Sequence, residues 1–254
     1  MRLEGKTSLI SGAGRNNGRA IALRFAEEGS DLILVAREDG EQLQKVADEC
    51  RAFGVRALPL LADATDRGQV DDVVAKGLAE FGKIDAAVSV IGLRPHRKFL
   101  DYTYEEWLHG FAVNNHSLFH LAQAVLPSMM QNQKGSIIGL GGMSAGYALP
   151  DSALVVSSKH ALHGLIKSLA REFGPYDIRV NLLNPGSIEN VRKNPEWYAL
   201  TGGEPTGQKD LENTPLRRKG TNVEVANAAL FLASDESGYI TGDRINCIGG
   251  RFMT

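Results

Sequence analysis

The chain has 254 residues, 43% hydrophobic and 23% charged, which is the composition of an ordinary globular protein with a sizeable core. Its 28 Lys and Arg against 30 Asp and Glu leave a net charge of −2, which argues against holding nucleic acid by bulk charge. The two cysteines, Cys50 and Cys247, lie far apart with no His or Cys at metal spacing, so neither a disulfide scaffold nor a metal site is expected. No apolar run approaches the roughly 18 residues of a bilayer span. MRLEGKTSLI passes straight into a strand-like run, so no signal peptide is expected either. The expected compartment is reducing, the cytoplasm.

Short β-branched runs alternate with amphipathic stretches along the chain. TSLIS (7–11) reads as a strand, and 18–29 as a helix closed by glycine. DLILVAR (31–37) is a strand, 41–53 a helix, 55–61 a strand and 68–81 a helix before Gly82. IDAAVSVI (84–91) is a fourth strand. Residues 105–131 read as one long helix, bent or broken near Pro127. Then come a strand at 135–140, a helix at 153–173, a strand at 178–183, a helix at 223–233 and a strand at 244–248. Such alternation predicts an α/β fold of one domain over residues 1–254: a Rossmann fold with a seven-stranded, mostly parallel sheet and helices on both faces. The long irregular stretch at 185–221 reads as a lid or substrate-binding segment.

The first strand runs into Ser11-Gly12-Ala13-Gly14-Arg15-Asn16-Asn17-Gly18 and then a helix. Glycines at such a junction let the backbone approach a pyrophosphate seated on the helix N-terminus. As G-x-G-x-x-G the motif fails, because Asn17 holds the third glycine position. A wider pattern places the turn in context. The chain resembles the short-chain dehydrogenase/reductase superfamily over nearly its whole length. That family begins T-G-x-x-x-G-x-G; here the segment reads S-G-x-x-x-N-x-G, keeping Gly12 and Gly18, with Asn16 at the middle glycine. Asn tolerates left-handed backbone better than other non-glycine residues. LADATD resembles the family's C-D-V-T-D, which implies that Asp63, with Ala64 beside it, meets the adenine. SVIG stands where the family shows N-N-A-G, carrying Ser89 and Gly92. NPGSI resembles its P-G-x-I turn beside the nicotinamide, through Pro185, Gly186 and Ile188. The tail from TPLRRKG to CIGG follows the family's C-terminal pattern.

An NAD enzyme of this fold places an acid at the end of the second strand for the ribose 2′-hydroxyl. Here Ala36 sits at that position and Arg37 follows. Arg suits a 2′-phosphate, and Arg15 in the glycine turn is placed to join it. NADP(H) is therefore expected over NAD(H), against the alternative of two solvated surface arginines.

The resemblance breaks at the catalytic residues. The family's helix carries a Tyr that protonates the substrate carbonyl and, four residues on, a Lys that binds the nicotinamide ribose. VVSSKHALHGL supplies the lysine as Lys159, but the Tyr position is Val155 and the family's Ser position is Gly142. Asn114 in AVNNHSLFH matches the family's relay Asn. Cofactor binding is thus retained while carbonyl protonation is lost or moved. Tyr147 is the first substitute donor, ahead of Ser144, Ser158 and His160. In GLRPHRKFL, Arg94, His96, Arg97 and Lys98 form a basic loop that either holds a substrate carboxylate or phosphate, with Arg94 and His96 as its contacts, or is simply solvated.

The first functional reading is an NADP(H)-dependent oxidoreductase acting on a small carbonyl or alcohol with a non-standard active site. The alternatives are a catalytically degenerate nucleotide-binding or structural homologue, and a lyase or isomerase on the same fold. The expected partners are a small-molecule substrate and further copies of the chain, as a homotetramer or homodimer built on the two long helices. Neither nucleic acid nor a membrane is expected.

Overall fold

The computed structural model describes residues 1–148, 150–190 and 211–252. Seven strands form one sheet: β1 (Thr7–Ser11), β2 (Asp31–Ala36), β3 (Ala57–Leu61), β4 (Ala86–Ser89), β5 (Gly135–Leu140), β6 (Ile178–Pro185) and β7 (Arg244–Cys247). Their order is β3-β2-β1-β4-β5-β6-β7 and every pairing is parallel. Crossover helices cover both faces, so the central strands are apolar throughout rather than alternating. In β2, Leu32 and Leu34 enter one core while Ile33 and Val35 enter the other.

The first core is closed by α1 (Asn16–Glu27), α2 (Gly40–Arg51) and α7 (Asn222–Ala233). The second is closed by α3 (Arg67–Phe81), α5 (Ser117–Asn132) and α6 (Ala153–Phe173). Caps fix several helix starts. Asp39 accepts a hydrogen bond from Gln42 N, and Thr221 forms a reciprocal capping box with Glu224. Left-handed Gly82 ends α3, as its position after the apolar run predicts.

Two boundaries differ from the sequence reading. Strand β4 ends at Ser89, because Val90 and Ile91 leave the sheet to line a cleft. The long helix expected over 105–131 is three pieces: α4 (Tyr104–Phe111), a π turn (Ala112–His116) and α5. The helical backbone runs on through the π turn, and Pro127 lies inside α5. Pro127 and Gln123, one turn before it, are both exposed, so the carbonyl that proline leaves unbonded faces solvent. Of the 185–221 segment, the two ends are described. They are zipped by a parallel bridge between Ile188 and Gly220, with Glu189 N donating to Gly220 O at 2.9 Å. The lid expected in its middle lies outside the described residues.

The chain builds β1 to β3 outward in one direction, then returns to place β4 on the other side of β1. Such a switch point opens a crevice at the carboxyl ends of the strands.

Candidate functional site

The crevice is a continuous cleft of two joined cavities, about 970 and 500 Å³. Its floor is the glycine turn. Gly12 has φ +87°, and a Cβ on Gly18 would lie 1.9 Å from Gly12 O, so only glycine allows this close return of the chain. Asn16 takes φ +47°, the left-handed conformation expected of it at a glycine position. Asn17 Oδ1 is buried in the cleft wall without a hydrogen-bond partner among the described residues, and so is Asn190 Oδ1, which lines the second cavity. An orphaned buried acceptor costs about 1–3 kcal/mol unless a ligand satisfies it.

At the outer end of the cleft Arg15 and Arg37 line both cavities. Arg37 is loosely paired with Glu38 at 3.6 Å and its side chain is 60% exposed. Arg15 makes no side-chain hydrogen bond or ion pair among the described residues. Asp63 and Ala64 line the larger cavity beside them. Burial works against the charge of Asp63, but hydrogen bonds from Thr65 N and Oγ1 hold its carboxyl below the usual carboxylate range.

At the inner end Gly142, Val155, Lys159, Pro185, Gly186 and Ile188 face one another. Lys159 is 2% exposed and its Nζ donates to Leu140 O at 2.8 Å. Burial, with a smaller contribution from the nearby Arg94 charge, pulls its pKa down to about 7. Asn114, aimed inward by the π turn, accepts from Leu93 N at 2.7 Å. Its amide nitrogen donates to Leu93 O and to Ser158 Oγ, each at 2.9 Å. Asn114 therefore pins the chain just past Gly92. A Cβ on Gly92 would stand 3.4 Å from Lys159 Nζ and 3.7 Å from Asn114 Oδ1, so a small residue is needed where the two side chains converge. Gly142 lies at φ +116°, and its N–H donates to Asn184 Oδ1 at 3.1 Å. No hydroxyl is offered by positions 142 and 155.

The structure separates the remaining sequence candidates. Tyr147 is 41% exposed and stacks on Phe252 with ring centroids 4.0 Å apart; it does not line the cleft, so it is no substitute donor. Ser89 is buried in β4, and its neighbours Val90 and Ile91 line the cleft instead. Ser158 is committed to Leu154 O and Asn114, and His160 to Val156 O. In the basic loop Arg97 is paired with Glu106 at 2.5 Å, and His96 lies off the cleft within reach of the Asp151 charge. Arg94 and Ser144 do line the inner cavity. Sequence reasoning missed Asn190, Ile91 and His109 as cleft residues. Only the fold brings them there.

The turn that excludes a Cβ, the orphaned acceptors and the two arginines fit a dinucleotide lying across the switch point. Comparison with known proteins agrees. The family model described as enoyl-(acyl carrier protein) reductase matches residues 12–251. The 3-oxoacyl-[acyl-carrier-protein] reductase of Thermotoga maritima is 35% identical over 98% of this chain and 99% of its own length. The enzyme of the same name from Escherichia coli is 35% identical over the whole of both chains. Among solved structures, NAD+-bound xylitol dehydrogenase superposes with TM-score 0.90 at 29% identity, covering 98% of this chain and 100% of that one. A 7α-hydroxysteroid dehydrogenase holding NADH and 7-oxo glycochenodeoxycholic acid gives TM-score 0.90 at 31% identity, covering 98% and 95%. The chain belongs to the short-chain dehydrogenase/reductase superfamily.

Proposed function

We propose that the chain is an NADP(H)-dependent oxidoreductase that moves a hydride between the nicotinamide and a small carbonyl or alcohol. The observation that carries this reading is one cleft with the glycine turn as its floor, Arg15 and Arg37 at its outer end and buried Lys159 at its inner end. Ala36 leaves room where an acid would repel a 2′-phosphate, and Arg37 offers it a charge-assisted contact. The named reductase relatives support the reaction class. The chain functions as a single domain over residues 1–254. It works in the cytoplasm as a homotetramer or homodimer.

When bound, the nicotinamide supplies or accepts the hydride. Gly12 and Gly18 let the backbone approach the pyrophosphate, Asp63 and Ala64 face the adenine, and Pro185, Gly186 and Ile188 wall the nicotinamide. Lys159 holds the ribose side, and Asn114 keeps Gly92 and Leu93 in place opposite it. Val155 and Gly142 stand at the family's vacated Tyr and Ser positions, so the proton for the substrate oxygen comes from Lys159 Nζ. An ammonium that titrates near 7 has a proton to give at neutral pH.

Fluorescence titration with NADPH and NADH, followed by absorbance loss at the nicotinamide band across a carbonyl panel, tests the proposal. Tighter binding of NADPH and its consumption with at least one carbonyl are expected. Tight binding without any turnover would favour the second reading, a nucleotide-binding homologue without catalysis, for which the missing hydroxyls at 142 and 155 already speak.

A further inference from the structure

The inner cavity carries an excess of positive charge that the cofactor reading leaves unused. Arg94 lines it together with Lys159, close enough for its charge to disfavour a proton on Lys159. Arg94 makes no hydrogen bond and no ion pair among the described residues. Among the described residues the acid lining this cavity is Glu38, which is paired with Arg37. Asp151 acts on His96 and not on Arg94. Of the other basic residues in the 92–100 loop, Arg97 is paired with Glu106, while His96 and Lys98 lie off the cleft. Of that loop's basic side chains, Arg94 is the one that lines the inner cavity.

A guanidinium that lines a cavity with a lysine, with no acid but Glu38 among the described residues lining it, is stabilised by an anion. The glycine turn also lines this cavity, and Arg15 and Arg37 stand there for the phosphates of the cofactor, which leaves Arg94 for another anion. The surrounding walls are apolar at Val155, Met143 and Ile188 and leave room for a short chain. We infer that the substrate is a short oxo-carboxylic acid, or the matching hydroxy acid, whose carboxylate docks on Arg94 while its carbonyl faces Lys159. The planar fork of Arg94 fits a carboxylate in two parallel hydrogen bonds, which also fixes the orientation of the carbon next to it. Such anchoring supplies positioning that the missing hydroxyls at 142 and 155 no longer give. This inference rests on the cleft being the substrate site of the proposed reaction.

Binding can be measured without turnover. Pyruvate, acetoacetate and levulinate are titrated calorimetrically into the protein, with and without saturating NADP+, beside their methyl esters. At least one acid is expected to bind about tenfold or more tightly than its ester, the measure of a charge-assisted contact. Arg94→Gln should bring that ratio near one, and Arg94→Lys should keep part of it, since a point charge remains without the fork. Circular dichroism checks that both variants fold. Equal affinities of acids and esters, an unchanged ratio in Arg94→Gln, or no saturable binding of any acid would overturn the inference. The proposed reaction can fail separately. Acids that bind through Arg94 without NADPH consumption leave the anion site standing and sink the oxidoreductase reading. Reduction of neutral carbonyls with no preference for acids does the reverse.

Discussion

Lys159 is almost wholly buried, 2% exposed, at the wall of the cleft. Burial holds its pKa near 7, against 10.5 when the chain is unfolded. Between those values the unfolded chain binds more protons than the folded one, so stability rises with pH across that window. The cost of burying the charge is fully present below about pH 7. Lys159→Met should therefore stabilise the fold by ~1 kcal/mol or more at pH 6, at about 1.4 kcal/mol per pKa unit relieved. The gain should vanish towards pH 10.5. Melting curves of both proteins over that range check it, and a pH-independent difference would contradict the assigned titration. A second charge decides the cofactor. Arg37 is exposed and only loosely held by Glu38, so its loss leaves the fold intact. Arg37→Ala should weaken NADPH by roughly 10- to 150-fold, the worth of a hydrogen bond to a charged group, and NADH by far less. Parallel fluorescence titrations measure the two ratios, and equal losses would remove the 2′-phosphate assignment. These residues were legible in the sequence because a motif fixed their positions. Tyr147 was not, because a loop residue's direction depends on partners such as Phe252 that no local pattern announces. Arg94 could not be told from His96 and Arg97 either, since only tertiary neighbours, Glu106 and Asp151, separate them.

The strands and most helices were readable for a plain reason. Parallel strands buried on both faces are continuous apolar runs, and glycines or capping side chains mark where the helices stop and start. The α4–α5 region resisted, because an i→i+5 turn has no composition of its own. Its consequence is functional: the extra residue turns Asn114 inward, where it holds Leu93 by two hydrogen bonds and steadies the wall opposite Lys159. Proline drew attention as the expected breaker, yet α5 runs through Pro127. An interior proline costs a helix about 3 kcal/mol relative to alanine, although it also restrains the unfolded chain by up to about 1 kcal/mol. Pro127→Ala adds an N–H facing the carbonyl of Gln123 on an exposed turn. It should stabilise the protein by roughly 1–2 kcal/mol without touching the cleft. Urea denaturation at constant slope tests this, and a loss of stability would show that the proline shapes α5 in a way the backbone bonds do not reveal.

At the scale of the whole molecule, the sheet order places the cleft at one edge of the strands and leaves α6 with a face turned outward. Ser157, Ala161, Gly164 and Ser168 lie along that face, exposed, while Leu165 and Leu169 beside them are half-buried. A Cβ on Gly164 meets nothing within 4 Å in the single chain. Glycine inside a helix costs about 1 kcal/mol relative to alanine, and here no intrachain contact offsets that loss. Close approach of a second backbone would. The exposed Phe119 on α5 and Leu108 on α4 extend the apolar surface of the same long-helix pair. A homotetramer or homodimer of the kind proposed above would pack helix on helix through α6. Gly164→Ala should raise the stability of an isolated chain by about 1 kcal/mol but weaken the assembly. Gly164→Arg should abolish the assembly, because a long charged side chain would be forced into the contact while the monomer accommodates it in open space. Light scattering across a concentration series distinguishes the cases. An oligomer mass retained in Gly164→Arg would move the interface away from α6. A monomer mass for the parent protein at micromolar concentration would leave Gly164 as an uncompensated weakness of a lone helix.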